Sequence, residues 1–338
     1  MFPICNFSPN TLKDNTMARF IIKIFAGILT MTSIVFSSSA LARESWPEVK
    51  SIDVKSINKD IKVGDPTVDV GIYYASNFDE KFQKAVPLSG IMEEFMTAKK
   101  LYAKNGVYLK LLWVKSGKLD SKNFSIQTAS LQDSKPNDNY VNMYRESERQ
   151  PNILSKHARE TFESIIEPDK YNSRTIYLIA LQGVYMSYND GDEKGRNWNS
   201  TLVRTGGLSF PSYMHGDTIP KRIRGVITLS RYDDVNKKII SHELGHKLMN
   251  VSHEYMEISP QHEVRKPGGL MLYGTGMDIP SGEEGRWHRE RLHLSPYIYR
   301  INKSGKRIWN EDYKEQGFYY DSLYGDKVMQ FDGVRKKR

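Results

Sequence analysis

The chain has 338 residues, of which 39% are apolar, 26% charged and 11% aromatic, a profile that excludes disordered and fibrous classes. Its single cysteine is Cys5, so a disulfide scaffold is excluded and any metal must be held by His, Asp or Glu. The net charge is +9, yet the basic residues are scattered apart from the terminal "VRKKR" and no nucleic-acid motif accompanies them, so no nucleic-acid partner is expected.

The N-terminus reads as a targeting segment. From Met17 the chain carries Arg19 and Lys23, an apolar stretch over 24–36, and Ala40-Leu41-Ala42. That is the charged, apolar, small-residue order of a secretory signal with an A-x-A cleavage site. The apolar stretch is short for a membrane span, which needs about 20 residues. Residues 1–16 form an upstream extension. Cleavage after Ala42 is expected, giving an exported protein, secreted or periplasmic, with no membrane association in the mature form. Loss of Lys13, Arg19, Lys23 and Asp14 leaves a net charge of +7.

Residues 43–65 are polar and mixed in charge, an arm or short pro-segment. "TVDVGIYYA" (67–75) alternates and is β-branched, which predicts a strand. "LSGIMEEFMTAKKLYA" (88–103) repeats apolar residues at helical spacing, Asn105-Gly106 stops it, and "VYLKLLWVK" (107–115) predicts a second strand. Residues 116–152 are polar and ambiguous. A helix is expected over 153–166, ending before Pro168. "TIYLIALQG" (175–183) is a strand buried on both faces. A Gly/Asn/Asp-rich loop is expected to about Arg204, followed by an edge segment "GGLSFPS" and another buried strand, "GVITLS" (225–230). "DDVNKKIISHELGHKLMN" then predicts a helix, with Asp233 or Asp234 as N-cap. After His253 almost nothing reads as strand, and "GEEGRWHRERLHL" is one further helix. This order predicts an α/β (α+β) domain around a twisted, mostly parallel sheet. Residues 66–253 form its N-terminal subdomain, and 254–338 a small irregular C-terminal subdomain with one helix and a basic tail.

The chemistry concentrates in "SHELGHKLMNVSHEY" (241–255). On a helix, His242 and His246 project about 40° apart and can share one cation. Glu243 lies on the flank of that face, where it can reach a metal-bound water. This is the H-E-x-x-H arrangement of two zinc ligands and a general base. A structural zinc site normally takes four protein ligands, often cysteines, and none are available. His253 is the third ligand expected, because it follows a helix stop at Asn250. His262 is the reserve, and Glu283 or Glu284 would give a gluzincin arrangement instead. His215 could line a cleft, although a surface role is the plainer reading.

"HELGHKLMNVSH" resembles the metzincin signature H-E-x-x-H-x-x-G-x-x-H. "GGLMLYGTG" (268–276) is similar to the methionine turn of that clan, with Met271 packing beneath the metal. The resemblance implies a metzincin-like catalytic domain with an antiparallel edge strand. It implies a catalytic role for Tyr273, two residues after Met271, as in astacins and serralysins. Glu254 after His253 is similar to the astacin pattern. One departure stands out: six residues separate His246 from His253 where the clan has five, with Met249 at the clan's glycine position. The resemblance spans roughly 67–295, but its specific motifs fall within 240–275.

The expected activity is zinc-dependent hydrolysis of peptide bonds in a protein or peptide substrate. Zn2+ on His242, His246 and His253 would acidify a bound water, with Glu243 as proton acceptor and Tyr273 beside the oxyanion. The alternatives are a secreted binding protein on a catalytically weak metalloprotease scaffold, and a gluzincin-type or non-peptide zinc hydrolase.

Overall fold

The computed structural model describes residues 46–78, 87–128, 154–191, 198–215, 218–230, 237–251, 269–271, 278–281 and 285–311. The expected signal segment and the terminal basic tail lie outside them. In chain order the described elements begin with helix α1 (Val54–Ile57), strand β1 (Thr67–Ala75), helix α2 (Leu88–Lys104) and strand β2 (Tyr108–Gly117). They continue with β3 (Ser125–Gln127), α3 (Lys156–Ile165), β4 (Ile176–Ala180), β5 (Gly183–Gly191) and β6 (Trp198–Thr205). Next come β7 (Gly207–Ser209), α4 (Ser212–His215), β8 (Val226–Leu229), α5 (Ile239–Met249), α6 (Arg286–His293), β9 (Ile298–Ile301) and β10 (Arg307–Trp309).

Strand β1 organises a seven-stranded mixed sheet. β2 pairs parallel along its whole length, while β4 pairs parallel from Val70 to Tyr74, and so lies along the opposite edge. β8 follows β4 in parallel, and β7 closes that side antiparallel to β8. Alternate residues of β1 and β4 face opposite ways, so each strand feeds two cores. Val68, Val70, Ile72 and Leu178 pack with Phe95 and Tyr102 of α2 and Leu244 and Leu248 of α5. Tyr73, Tyr177 and Ile179 pack instead with Ala158, Phe162 and Ile165 of α3. The result is a helix–sheet–helix sandwich of mixed α/β class, which explains why β4 reads as an unbroken apolar run.

The arm at 46–65 is tied to this sandwich. Trp46 is buried edge-on to Tyr73, with ring centroids 5.4 Å apart. The Asn58 side chain donates to the Leu111 carbonyl at 2.7 Å and accepts from the Leu111 N–H at 3.0 Å. These bonds stand where the β1–β2 register shifts, between Val70 and Gly71. They satisfy backbone groups on the outer edge of β2 that would otherwise invite another strand.

Three expectations need correction. The loop expected before Arg204 contains an antiparallel hairpin, β5–β6, which joins β3 in a separate three-stranded sheet. Glycine, asparagine and aspartate near its tip hid the strand composition of Val184, Tyr185, Thr201, Leu202 and Val203. The C-terminal part is not limited to one helix, because β9 and β10 form a hairpin that joins β1 antiparallel at Thr67 and Val68. Its short runs, "IYRI" and "RIW", do not show an alternation long enough to register. Helix α5, finally, starts at Ile239, after Lys237 in a left-handed conformation, not near Asp233 or Asp234. Its first turn is satisfied from another helix, since Glu94 of α2 accepts the Ile240 N–H at 3.1 Å. A carboxylate there also complements the positive helix end.

Candidate functional site

Helix α5 is held at both ends and along one side. At its start stands Glu94, and the Tyr102 hydroxyl donates to the Ser241 carbonyl at 2.8 Å. At its end Asn250 adopts the left-handed conformation (φ 55°, ψ 54°), the role expected for this residue. Arg291 of α6 then donates to the Met249 and Asn250 carbonyls, both at 2.9 Å. A guanidinium at the carbonyl end of a helix satisfies orphan acceptors and complements the dipole.

Within this frame His242 and His246 point at each other. Their Nε2 atoms are 3.1 Å apart and their rings are nearly perpendicular, at 89°. His242 Nδ1 is 2.8 Å from the Leu270 carbonyl, and His246 Nδ1 is 2.7 Å from the Val251 carbonyl. A carbonyl oxygen can only accept, so each Nδ1 carries the proton and each neutral ring turns an Nε2 lone pair inward. Burial pushes the His242 pKa down to about 4 and that of His246 down to about 3. His242 retains some solvent exposure, but the surrounding protein still disfavours its charged form. Burial thus disfavours the charged form of both rings, and their Nε2 atoms face each other across 3.1 Å. Two nitrogens bound to one tetrahedral zinc, each roughly 2.0–2.1 Å from it, stand about 3.3 Å apart. The observed separation fits that donor set, and the carbonyl bonds to Nδ1 supply the outer support such ligands need.

Glu243 faces the terminal strand of the sheet. A Cβ on Gly207 would stand 3.0 Å from Glu243 Cγ and 3.3 Å from Oε1, and 2.5 Å from Ile239, so β7 approaches α5 this closely only because residue 207 is glycine. Burial pushes the Glu243 carboxyl up to about 7, against opposing pulls from Ser209 and from the Lys247 charge. The buried Ser209 Oγ meets no partner at strict hydrogen-bond geometry, so the pull of its side chain is electrostatic and not that of a made bond. A carboxyl balanced near neutral pH can both accept and return a proton.

Met271 lies beneath the helix. A Cβ on Gly245 would come within 2.5 Å of the Met271 sulfur, so this glycine lets the methionine pack directly against the helix between the two histidines. Met271 is fully buried and acts by packing, as expected. Its neighbour Leu270 supplies the carbonyl that fixes His242, and the Leu270 N–H is itself bound to the Asp278 carbonyl at 2.6 Å.

The structure thus brings His242, Glu243, His246 and Met271 together. His253, His262, Tyr273, Glu254, Glu283 and Glu284 lie outside the described residues. Among the described residues no group of three or more His, Cys, Asp or Glu side chains could hold a metal ion. The described donor set is the histidine pair alone. His215 is buried against Phe210 with ring centroids 5.4 Å apart, which corrects the surface reading. His293 bonds the Asn105 carbonyl at 2.9 Å and anchors α6 to the end of α2.

Sequence reasoning missed Glu94, Arg291 and Lys247. Lys247 is 2% exposed, and its ammonium donates to the Phe210 carbonyl at 2.6 Å and to the Arg224 carbonyl at 2.8 Å. Burial first, and then the Arg224 charge, pushes its pKa well below the usual lysine range, while Glu243 opposes the shift. One signal for it was legible, because Lys247 stands four residues after Glu243 on the same helix. Among the described residues no helix is long and apolar enough to cross a membrane. Compared with known proteins, the chain matches no family model and no curated protein sequence.

Proposed function

We propose that the protein is an exported zinc-dependent endopeptidase with a metzincin-like catalytic domain. The observation that carries this reading is the convergence of two neutral imidazole Nε2 atoms at 3.1 Å, each ring locked through Nδ1 by a backbone carbonyl. His242 and His246 supply two ligands, and His253 is the third proposed. Zinc, when bound, supplies a Lewis acid and a water acidified towards a pKa of about 7.

The chain's own residues account for the remaining chemistry. Glu243 takes a proton from the attacking water and returns it to the leaving amine, a role suited to a carboxyl balanced near pH 7. Tyr273 is proposed to donate to the oxyanion. β7, the terminal strand of the sheet, offers its outer edge to an extended peptide, which main-chain hydrogen bonds would hold beside Glu243. The Met271 packing under Gly245 accords with the methionine turn of the clan that the sequence resembles.

The decisive experiment is Glu243→Gln, which keeps size and polarity but removes the base. Zinc content and folding should survive, and peptide hydrolysis should fall by about 10²–10⁴-fold. A wild type that binds zinc yet hydrolyses a broad peptide library no faster than Glu243→Gln would overturn the peptidase reading and favour a binding scaffold.

A further inference from the structure

The β7 edge is held within the sheet by a short ladder and by a few further bonds, from Thr228 Oγ1 to the Leu208 carbonyl and from the Ser230 N–H to the Gly206 carbonyl. Its ladder with β8 covers three residue pairs and ends at Ser209 and Ile227. Beyond that point the chain leaves through Phe210, passes α4, and returns at Arg224 to begin β8. Both ends of this excursion meet at one atom, the Lys247 Nζ on helix α5. The same ammonium lies 5.9 Å from the Phe210 ring centroid, and that ring packs on Phe162 and His215. The Tyr297 hydroxyl also reaches the Arg224 carbonyl, at 3.3 Å.

A lysine is a costly choice for this position. Removing an ammonium from water carries a desolvation penalty that its bonds repay at best in part, so an apolar side chain would serve stability as well. What an apolar side chain lacks is the capacity to hold two carbonyls from separate segments at fixed positions relative to His246, one residue away. Position, not stability, is what these two donated bonds supply.

We propose that Lys247 is a positioning residue that clamps the chain at Phe210, just past the β7 edge, and at Arg224, just before β8, to the helix bearing the histidine pair, and so sets where an extended substrate lies relative to Glu243. The substrate part of this inference rests on the peptidase reading; the clamp itself does not. The Lys247 Nζ bonds the Phe210 and Arg224 carbonyls, neither of them in the proposed zinc site, so its loss should spare zinc.

The test compares zinc-loaded wild type with Lys247→Met, which keeps most of the stem and removes the ammonium. Hydrogen exchange of peptides covering 207–210 and 223–225 should accelerate about tenfold, as expected for losing a buried hydrogen bond, while α5 and β4 keep their protection. KM for a peptide long enough to run along β7 should rise about tenfold, while any change in kcat, which the Lys247 charge can reach through Glu243, should be the same for long and minimal substrates. The KM of a minimal substrate that makes no edge contacts should not change. Lys247→Arg, which retains a charged donor, should restore protection. Unchanged exchange at 207–225, or equal acceleration in β4, would overturn the clamp and leave a merely structural lysine. If Lys247→Met does not fold, Lys247→Gln, a shorter neutral donor, is measured in the same way. Should wild type cleave neither substrate, the peptidase reading falls with the substrate part, and the exchange result alone decides the clamp.

Discussion

Asp69 and the His242–His246 pair are both buried polar groups, but they are satisfied in opposite ways. The Asp69 carboxylate accepts from the Tyr299 hydroxyl at 2.7 Å and pairs with Arg307 at 2.7 Å. The Arg307 guanidinium lies 4.4 Å from the Tyr299 ring centroid and 4.7 Å from that of Tyr171. Here the Tyr299 hydroxyl and the Arg307 charge face the carboxylate and the cation faces aromatic rings, so charge is matched even though Arg307 Nη1 makes no hydrogen bond of good geometry, and the cluster fastens the β9–β10 hairpin to β1. In the histidine pair acceptor faces acceptor at 3.1 Å, and the carbonyls at Leu270 and Val251 hold both rings in that arrangement. A cluster that sets charge against charge builds structure, whereas one that directs lone pairs at a common point has the donors that the proposed cation would need.

That contrast can be broken at either site. The largest effect is expected for His246→Ala, which should reduce zinc from one ion per chain to trace occupancy by metal analysis and abolish hydrolysis, with the fold retained by circular dichroism. Full zinc occupancy in this variant would remove the metal reading of the pair. Asp69→Ala should do the converse. It leaves Arg307 without its buried partner, and a loss of about 3 kcal/mol in urea unfolding is expected because Arg307 keeps some solvent contact. Its zinc content should not change, and a loss of zinc would show that the two clusters are not independent.

Acid should also separate them in the metal-free protein. His242 and His246 titrate near 4 and 3 when folded and near 6.5 when unfolded, so the unfolded chain binds more protons and stability falls as pH drops from about 6.5 to 4. Glu243 has the opposite sign. Its folded pKa of about 7 lies above its unfolded value, so its stabilising contribution is complete below the unfolded pKa and is lost as pH rises through 7. Between pH 4.5 and 6.5 two histidine protons outweigh one carboxyl proton, and the net effect is acid destabilisation. Chemical denaturation across this range should show a shallower slope in His246→Gln than in wild type, and a steeper one in Glu243→Gln. Equal slopes for all three would contradict the burial of these groups as neutral species.

The smallest effect concerns the helix stop. Asn250→Ala should cost about 1 kcal/mol, because a Cβ without a local hydrogen-bonding group disfavours the left-handed conformation. Asn250→Gly should be near neutral for the backbone. If Asn250→Ala also weakens zinc binding, the turn contributes to the site by presenting the Val251 carbonyl to His246.

Much of the fold was legible because it depends on local periodicity. β1, α2, β2, α3, β4 and β8 were read within a few residues, since a run long enough to show a period of 2 or 3.6 identifies itself. The β5–β6 hairpin and the β9–β10 ribbon were missed for lack of such a run. In the site, His242, Glu243 and His246 were legible because four-residue spacing fixes their common face, and Asn250 because few residues tolerate its backbone conformation.

What the sequence by itself determined was a chemical possibility: two imidazoles and a carboxylate on one helix, a stop after it, and a methionine downstream. Only the tertiary structure decided which nitrogen of each ring faces inward, because that depends on carbonyls 28 residues away at Leu270 and five residues away at Val251, past the helix stop. It likewise decided that Glu94 begins the helix, that Arg291 ends it and that Lys247 ties it to the sheet edge, since these bonds cross between elements and leave no periodic trace in the chain. Spacing along a helix is set by 1.5 Å per residue and 100° per step. Satisfaction of buried donors and acceptors is set by whatever the fold brings near them, and no local pattern encodes that.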